Sequence, residues 1–305
     1  MKTWQANICL VIVAMIWGAG FVATEQALKF LEPLQMQIFR FGIAALIVTV
    51  VFFKRLKNAS KQSIIYGSII GLVFFIAMTF QTFGLTDTTV PKNAFITVTN
   101  VVWVPLISFI IFKIKPKAYL LYGIIVMLVG FFFLIFEVDI FNLSSSLASL
   151  SSQMNVTFGD FLTLICAIAF AAHIILGGRF VKDEDPITIL IFQLYVSTIL
   201  SIVLSCFMEG SPLNIEPSNL VSALPSLTFM AVFSSVISFA LQLIAQQYVP
   251  AANTAVICST ESLFASIFAV LLGSVPLTSS LVISSFVITI GIIWAETGFK
   301  FKEEG

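Results

Sequence analysis

The chain has 305 residues, of which 59% are apolar and 10% charged, with 15 Lys+Arg against 15 Asp+Glu, one His and a mean hydropathy of +1.08. A soluble domain carries roughly a quarter of its residues as charge, so this composition excludes a cytosolic enzyme, a disordered chain and, with no basic excess, a nucleic-acid binder. A polytopic membrane protein fits it, and at ~20 residues per span about ten helices would take up most of the chain. Met1, Lys2 and the apolar run from Ala6 mimic a signal peptide, but the run is long and no small-x-small cleavage site precedes a polar segment, so it reads as a first span. Apolar runs bounded by charge or turn residues predict spans at 6–25, 34–53, 63–85, 91–112, 118–136, 159–178, 187–207, 224–247, 251–272 and 277–297. Pro33, Pro186 and Pro225 stand at predicted helix starts, where a missing N–H costs nothing. Gly67 and Gly71 form a GxxxG pair in the third run, the pattern of close helix packing. Residues 137–158, rich in Ser, and 208–223 read as connecting loops, with room for a short interfacial helix. Cys9, Cys166, Cys206 and Cys258 all fall inside apolar runs without CxxC spacing and read as small apolar side chains.

Loop charge sets an orientation. With the N-terminus inside, the inner segments hold Lys2, Lys54, Arg55, Lys57, Lys61, Lys113, Lys115, Lys117, Arg179, Lys182, Lys300 and Lys302, which is twelve of the 15 basic residues. Lys29 and Lys92 fall outside, together with Glu32, Glu137, Asp139, Glu209 and Glu216, and Arg40 lies within a span. The expectation is a multi-pass protein of the cytoplasmic (plasma) membrane with both termini cytoplasmic.

Five spans per half would place the halves in opposite orientations, and the chain aligns with itself accordingly. An offset of 153 matches 14–41 with 167–194, pairing Lys29/Lys182 and Pro33/Pro186. An offset of 161 matches 81–134 with 242–295, pairing Gln81/Gln242, Thr99/Thr260 and Gly130/Gly291. The fold expected is all-α and integral to the membrane, ten transmembrane helices arranged as two inverted five-helix repeats over 6–136 and 159–297. Inverted repeats recur in secondary transporters, whose substrate sites lie near the midplane between the halves.

Four stretches resemble the drug/metabolite transporter superfamily, specifically ten-helix permeases built from two EamA repeats. They are Trp17-Gly18-Ala19-Gly20-Phe21; Phe39-Arg40-Phe41-Gly42; Thr86 to Leu106, with Asn93-Ala94-Phe95; and Gln246-Gln247-Tyr248 leading into Thr260-Glu261-Ser262. The resemblance implies transport of amino acids, metabolites or drugs, without naming one substrate. The chain departs from the family pattern at Ser262, where Pro is usual, and at Lys113 and Ser274, where an acid is usual.

Charge within a span is costly, ~2.5–3.5 kcal/mol per group on insertion scales. Glu261 sits about ten residues into its run, near the midplane, and shares a helical face with Thr254 and Cys258. The 161 offset maps these onto Asn93, Thr97 and Asn100, so two polar stripes stand at repeat-equivalent positions. The Asn and Thr residues read either as a site or as interhelical hydrogen bonding. Arg40 either snorkels outward, or faces a cavity to bind a carboxylate or phosphate or to neutralise Glu261. His173 could move protons or simply pack, and Trp17 could wall a cavity or pack between helices. Ser235, Ser238 and Gln242 give the eighth run a polar stripe whose counterpart in the third is Gln81.

No Walker loop, HExxH or GxSxG sequence occurs, which argues against ATP-driven pumping and hydrolytic chemistry by this chain, and neither cofactor nor metal is expected. The reading is a secondary transporter, an exporter of small metabolites, amino acids or amphiphilic compounds by alternating access, with protons as a candidate coupling ion and a monomer or homodimer as the unit. The alternatives are an integral-membrane lipid-modifying enzyme, which would need a His/Asp/Glu cluster at one interface, or a channel.

Overall fold

A computed structural model describes residues 1–88, 90–135, 156–210, 214–271 and 277–297, and every regular element among them is a helix. Several helix starts follow directly from local chemistry. Pro33 and Pro186 occupy the first turns of α2 (Pro33–Val51) and α9 (Pro186–Met208). Ser60 caps α4 (Lys61–Thr86) by accepting from Ser63 N at 2.9 Å, Thr157 caps α8 (Phe158–Phe180), and Asp185 caps α9 from Thr188 N at 2.9 Å. Around these stand α1 (Thr3–Ala27), the short α3 (Phe53–Lys57), α7 (Ala118–Ile135) and α14 (Ser279–Thr297).

Eight helical stretches are long and apolar enough to cross a membrane, and Ala118–Phe133 is a shorter apolar helix. Their outward faces carry exposed apolar side chains such as Leu46, Val50, Ile110, Ile111 and Phe286, as lipid contact requires. The chain is thus a multi-pass membrane protein. The interhelical contacts are close at glycine. A Cβ on Gly67 or Gly71 would meet α9 backbone at 2.7–2.8 Å, so the GxxxG pair does pack helix on helix. Gly123 and Gly291 do the same between α7 and α14.

Three predicted spans are built differently from expectation. The fourth run is two helices, α5 (Val90–Val98) and α6 (Asn100–Phe112), parted at Thr99. The ninth is likewise α12 (Ala251–Cys258) and α13 (Glu261–Leu271), parted at Ser259–Thr260. In both breaks a threonine hydroxyl donates to the carbonyl three residues back, Thr99 to Ile96 at 2.6 Å and Thr260 to Ile257 at 2.7 Å, a local bond that competes with the helical ladder. The eighth run begins at Pro217, not near 224: α10 (Pro217–Phe229) passes through a π-helical segment (Met230–Ile237) into α11 (Ser238–Ala245), and Pro225 lies inside α10. The later part of the expected 208–223 loop, from Pro217, is therefore helix. Most of the 137–158 loop, together with Glu137, Asp139, Ser274, Lys300 and Lys302, lies outside the described residues.

The packing has a repeating plan. Helix α1 touches α10, the π segment and α11 on one side and α12–α13 on the other, while α8 touches α4 and α5–α6. Helix α9 packs on both α4 and α2, and α7 packs on α14.

Candidate functional site

Among α1, α2, α4, α5, α6, α8, the π segment, α11, α12 and α13 lies a cavity. Its lining reaches from Thr24 and Leu85, near the C-terminal ends of α1 and α4, past the helix middles to Phe239 and Gln242. At the opposite end of the bundle the two halves are tied together: Arg55 pairs with Asp185, and Ser60 and Ser63 donate to the Glu184 carboxylate at 2.8 and 2.5 Å.

The helix breaks place residues at this cavity. Asn100 and Glu261 each open the second half of a broken helix, and both line it, as do Thr97 and Cys258 just before the breaks. Gly18 makes the arrangement possible on the α1 side: a Cβ there would sit 2.7 Å from the Glu261 carbonyl oxygen and 2.8 Å from Ala265 N. The π segment contributes as well. Such segments carry i→i+5 bonding, and here the Ser234 carbonyl accepts from Trp17 Nε1 at 3.2 Å while Ser235 Oγ accepts from Arg40 Nε at 2.9 Å. Trp17 stands 5.0 Å from Phe239, which packs on Phe74 and His173 beneath the cavity.

The cavity thus brings together Trp17, Arg40, Gln81, Thr97, Asn100, Gln242 and Glu261. It leaves out three other candidates. Asn93 is wholly buried and donates to Gln81 O at 3.1 Å and Thr163 Oγ1 at 2.9 Å. Thr254 bonds back to the Pro250 carbonyl. His173 is buried among Phe74, Phe170 and Phe239, with Nε2 3.3 Å from Gln193 Oε1. The break before Glu261 also interrupts the single helical face expected for Thr254, Cys258 and Glu261. Arg40 does not snorkel to the surface, being 5% exposed, and it forms no ion pair with Glu261.

The lining polar groups differ in how well they are satisfied. Gln81 donates to Thr97 Oγ1 at 3.2 Å. By contrast both side-chain polar atoms of Gln242, Oδ1 of Asn100 and Oγ of Ser234 are buried without a hydrogen-bond partner, and the Glu261 carboxylate has no donor among the described residues. Buried polar groups left unmatched cost ~1–3 kcal/mol each, and most proteins keep them few. Asn7 Oδ1, Asn93 Oδ1, His173 Nδ1, Gln193 Nε2, Ser238 Oγ and Gln246 Oε1 are likewise unmatched away from the lining, while the four atoms of Gln242, Asn100 and Ser234 belong to one cavity. Ser234, Phe170 and Phe239 were not singled out from sequence. The Ser235/Ser238/Gln242 stripe was the available signal, but it assumed regular α-helix where the backbone is π-helical.

A model of the EamA-like transporter family matches the chain twice, over residues 4–136 and 157–297. The chain belongs to the EamA-like transporter family. It is 30% identical to an uncharacterized transporter of Archaeoglobus fulgidus over 96% of this chain and 86% of that one. It is 25% identical to the uncharacterized transporter YyaM of Bacillus subtilis over 78% and 76% of the two. A solved crystal structure shares the EamA-like chain's fold with a TM-score of 0.77, covering 97% of this chain and 98% of its own at 14% identity. The two family matches put one helix break in each copy, at positions 161 residues apart, and the unmatched polar groups between them.

Proposed function

We propose that this EamA-like protein is a secondary transporter that exports small metabolites, amino acids or amphiphilic compounds by alternating access between two inverted five-helix halves. The observation that carries the reading is the pair of broken helices at repeat-equivalent positions, opening on a central cavity lined by unmatched polar groups. Broken helices facing a midplane cavity between related halves are a recurrent transporter device. The two-sided packing supports the inverted arrangement: α1 lies against the eighth and ninth spans as α8 lies against the third and fourth, counting the broken pairs as single spans to make ten. Basic residues gathered at one end support cytoplasmic termini in a plasma membrane.

The chemistry follows from the lining. Arg40, Asn100, Gln242 and Glu261 face the ligand, and Trp17, Phe170 and Phe239 form the apolar wall. With the far, cytoplasmic end tied by Arg55–Asp185 and Ser60/Ser63–Glu184, loading from that side requires these ties to part while the other end closes. Glu261, with no partner among the described residues, is the group for proton coupling.

The test is transport itself. Comparing metabolites in cells overexpressing and lacking the protein supplies a substrate, and proteoliposomes loaded with it should show saturable counterflow. Ohmic single-channel currents would establish a channel instead. Glu261→Gln should abolish the pH dependence of uptake and lower its rate at least tenfold. Unchanged transport with unchanged pH dependence would eliminate Glu261 as the coupling group.

A further inference from the structure

Arg40 is 5% exposed, and its only described hydrogen bond uses Nε, on Ser235 Oγ at 2.9 Å. The guanidinium lies 5.4 Å from the neighbouring Phe41 ring. Other cations of the chain are matched differently: Arg55 meets Asp185, Lys92 meets Asp160, and Arg179 stacks on Phe112 at 4.9 Å. Arg40 alone among these lines the central cavity, and no carboxylate lies within ion-pair distance of it among the described residues. Glu261, in the same cavity, does not serve.

A guanidinium cannot discard its charge by losing a proton, and its planar fork matches an oxyanion with two parallel N–H bonds. Buried charge without a partner costs several kcal/mol. The Ser235 hydroxyl orients the fork and leaves its remaining N–H groups unused by protein acceptors. The position is also one-sided, since the repeat-equivalent of Arg40 is Gln193, which meets His173 and lies outside the cavity lining.

We propose that the ligand supplies the missing counter-ion: the cavity takes small organic anions, a carboxylate or comparable oxyanion held by Arg40 and an apolar body held against Trp17, Phe170 and Phe239. Asn100, Gln242 and Ser234 then meet the ligand's remaining polar atoms. This rests on the central cavity being the transport site, and it narrows what that site accepts.

The test uses the full-length chain in lipid nanodiscs and three probes sharing one body, 3-phenylpropionate, 3-phenylpropionamide and phenethylamine, with affinity measured by calorimetry. The anion should bind at least tenfold more tightly than the neutral amide or the amine, the size expected when a charge-assisted hydrogen bond is gained. Arg40→Gln should remove that preference, Arg40→Lys should keep part of it, and Arg179→Gln, whose guanidinium stacks on Phe112 away from the cavity lining, should leave it intact. Equal affinity for the three probes, preference for the amine, no binding of any probe, or an undiminished preference in Arg40→Gln would each overturn the proposal. If Arg40→Gln does not fold, the three-probe comparison on the unaltered chain and on Arg40→Lys still decides. Anion binding without counterflow of any metabolite would refute the transport reading and leave the anchor standing. Counterflow of a cationic or neutral substrate untouched by Arg40→Lys would do the reverse.

Discussion

At the scale of single residues, equally buried polar side chains differ in whether they are satisfied. Gln37 is as buried as Gln242, yet its amide donates to the Met78 carbonyl and Thr82, and its oxygen accepts from Thr79 and Ser201. That knot ties α2, α4 and α9, whereas Gln242 has no partner. Both would look alike in a hydropathy profile. Gly18 is the sharpest steric requirement at the site, because its neighbours are backbone atoms that cannot rotate away. Gly18→Ala should therefore push α1 off the Glu261 break and lower stability by about 1–3 kcal/mol, in the range of overpacked cores. Gly42→Ala, whose Cβ would meet only Thr198 Cγ2 at 3.7 Å, should be nearly neutral. Thermal midpoints in detergent would compare the two, and equal losses would remove the close approach at Gly18 as the cause.

At the scale of elements, the informative features are interruptions. Thr99 and Thr260, one in each family match, make the same bond to the carbonyl three residues back. The family's usual proline after Glu261 is not needed for the break, since Ser259, Thr260 and Ser262 hydroxyls all bond to local carbonyls. Caps set the other boundaries, and Asp185 shows two roles in one carboxylate: it accepts from Thr188 N and Oγ1 and pairs with the half-exposed Arg55. Exposed ion pairs contribute ~0–1 kcal/mol, whereas losing an N-cap costs ~1 kcal/mol or more. Asp185→Ala should accordingly destabilise the protein by about 1 kcal/mol more than Arg55→Ala, as measured by denaturant unfolding in detergent. Equal effects would assign the carboxylate's contribution to the pair and not to the helix start.

At the scale of the whole molecule, the two family matches are held together at both ends. Opposite the Arg55–Asp185 tie, Glu209 beyond the end of α9 accepts from Leu34 N at 2.8 Å and Gln35 N at 3.1 Å, capping the start of α2 across the halves. Burial raises the Glu209 carboxyl above its ordinary range, helped by the charge of Glu32, against the lowering pull of the Leu34 and Gln35 amides and Ser205. A carboxyl raised in the folded state is protonated there when the unfolded chain has already ionised. Stability is then lost as pH rises from the ordinary carboxylate range through the raised folded value. Glu209→Gln should flatten this decline above the ordinary carboxylate range, and a slope unchanged from the parent would show that other groups set it. Alternating access would have to open one of these ties at a time.

The amino-acid sequence by itself determined the class of molecule, since 10% charge cannot cover a soluble surface. It also determined most helix extents, the helix starts at Pro33 and Pro186 and the GxxxG contact, because each is encoded within one turn or one apolar run. Glu261, Asn100 and Arg40 were legible as costly residues in apolar surroundings. What only the tertiary structure decided is which polar groups meet and which do not. Arg40 finds Ser235, 195 residues away, instead of Glu261, and Trp17 finds the Ser234 carbonyl 217 residues away. Asn93, Thr254 and His173 stand outside the cavity lining. The eighth span's π-helical register and its early start at Pro217 were hidden because a π segment changes backbone bonding with little change in apolar periodicity. Hydropathy sums and helical spacing are local quantities. Hydrogen-bond satisfaction is a pairwise property of helices far apart in the chain, and only their packing resolves it.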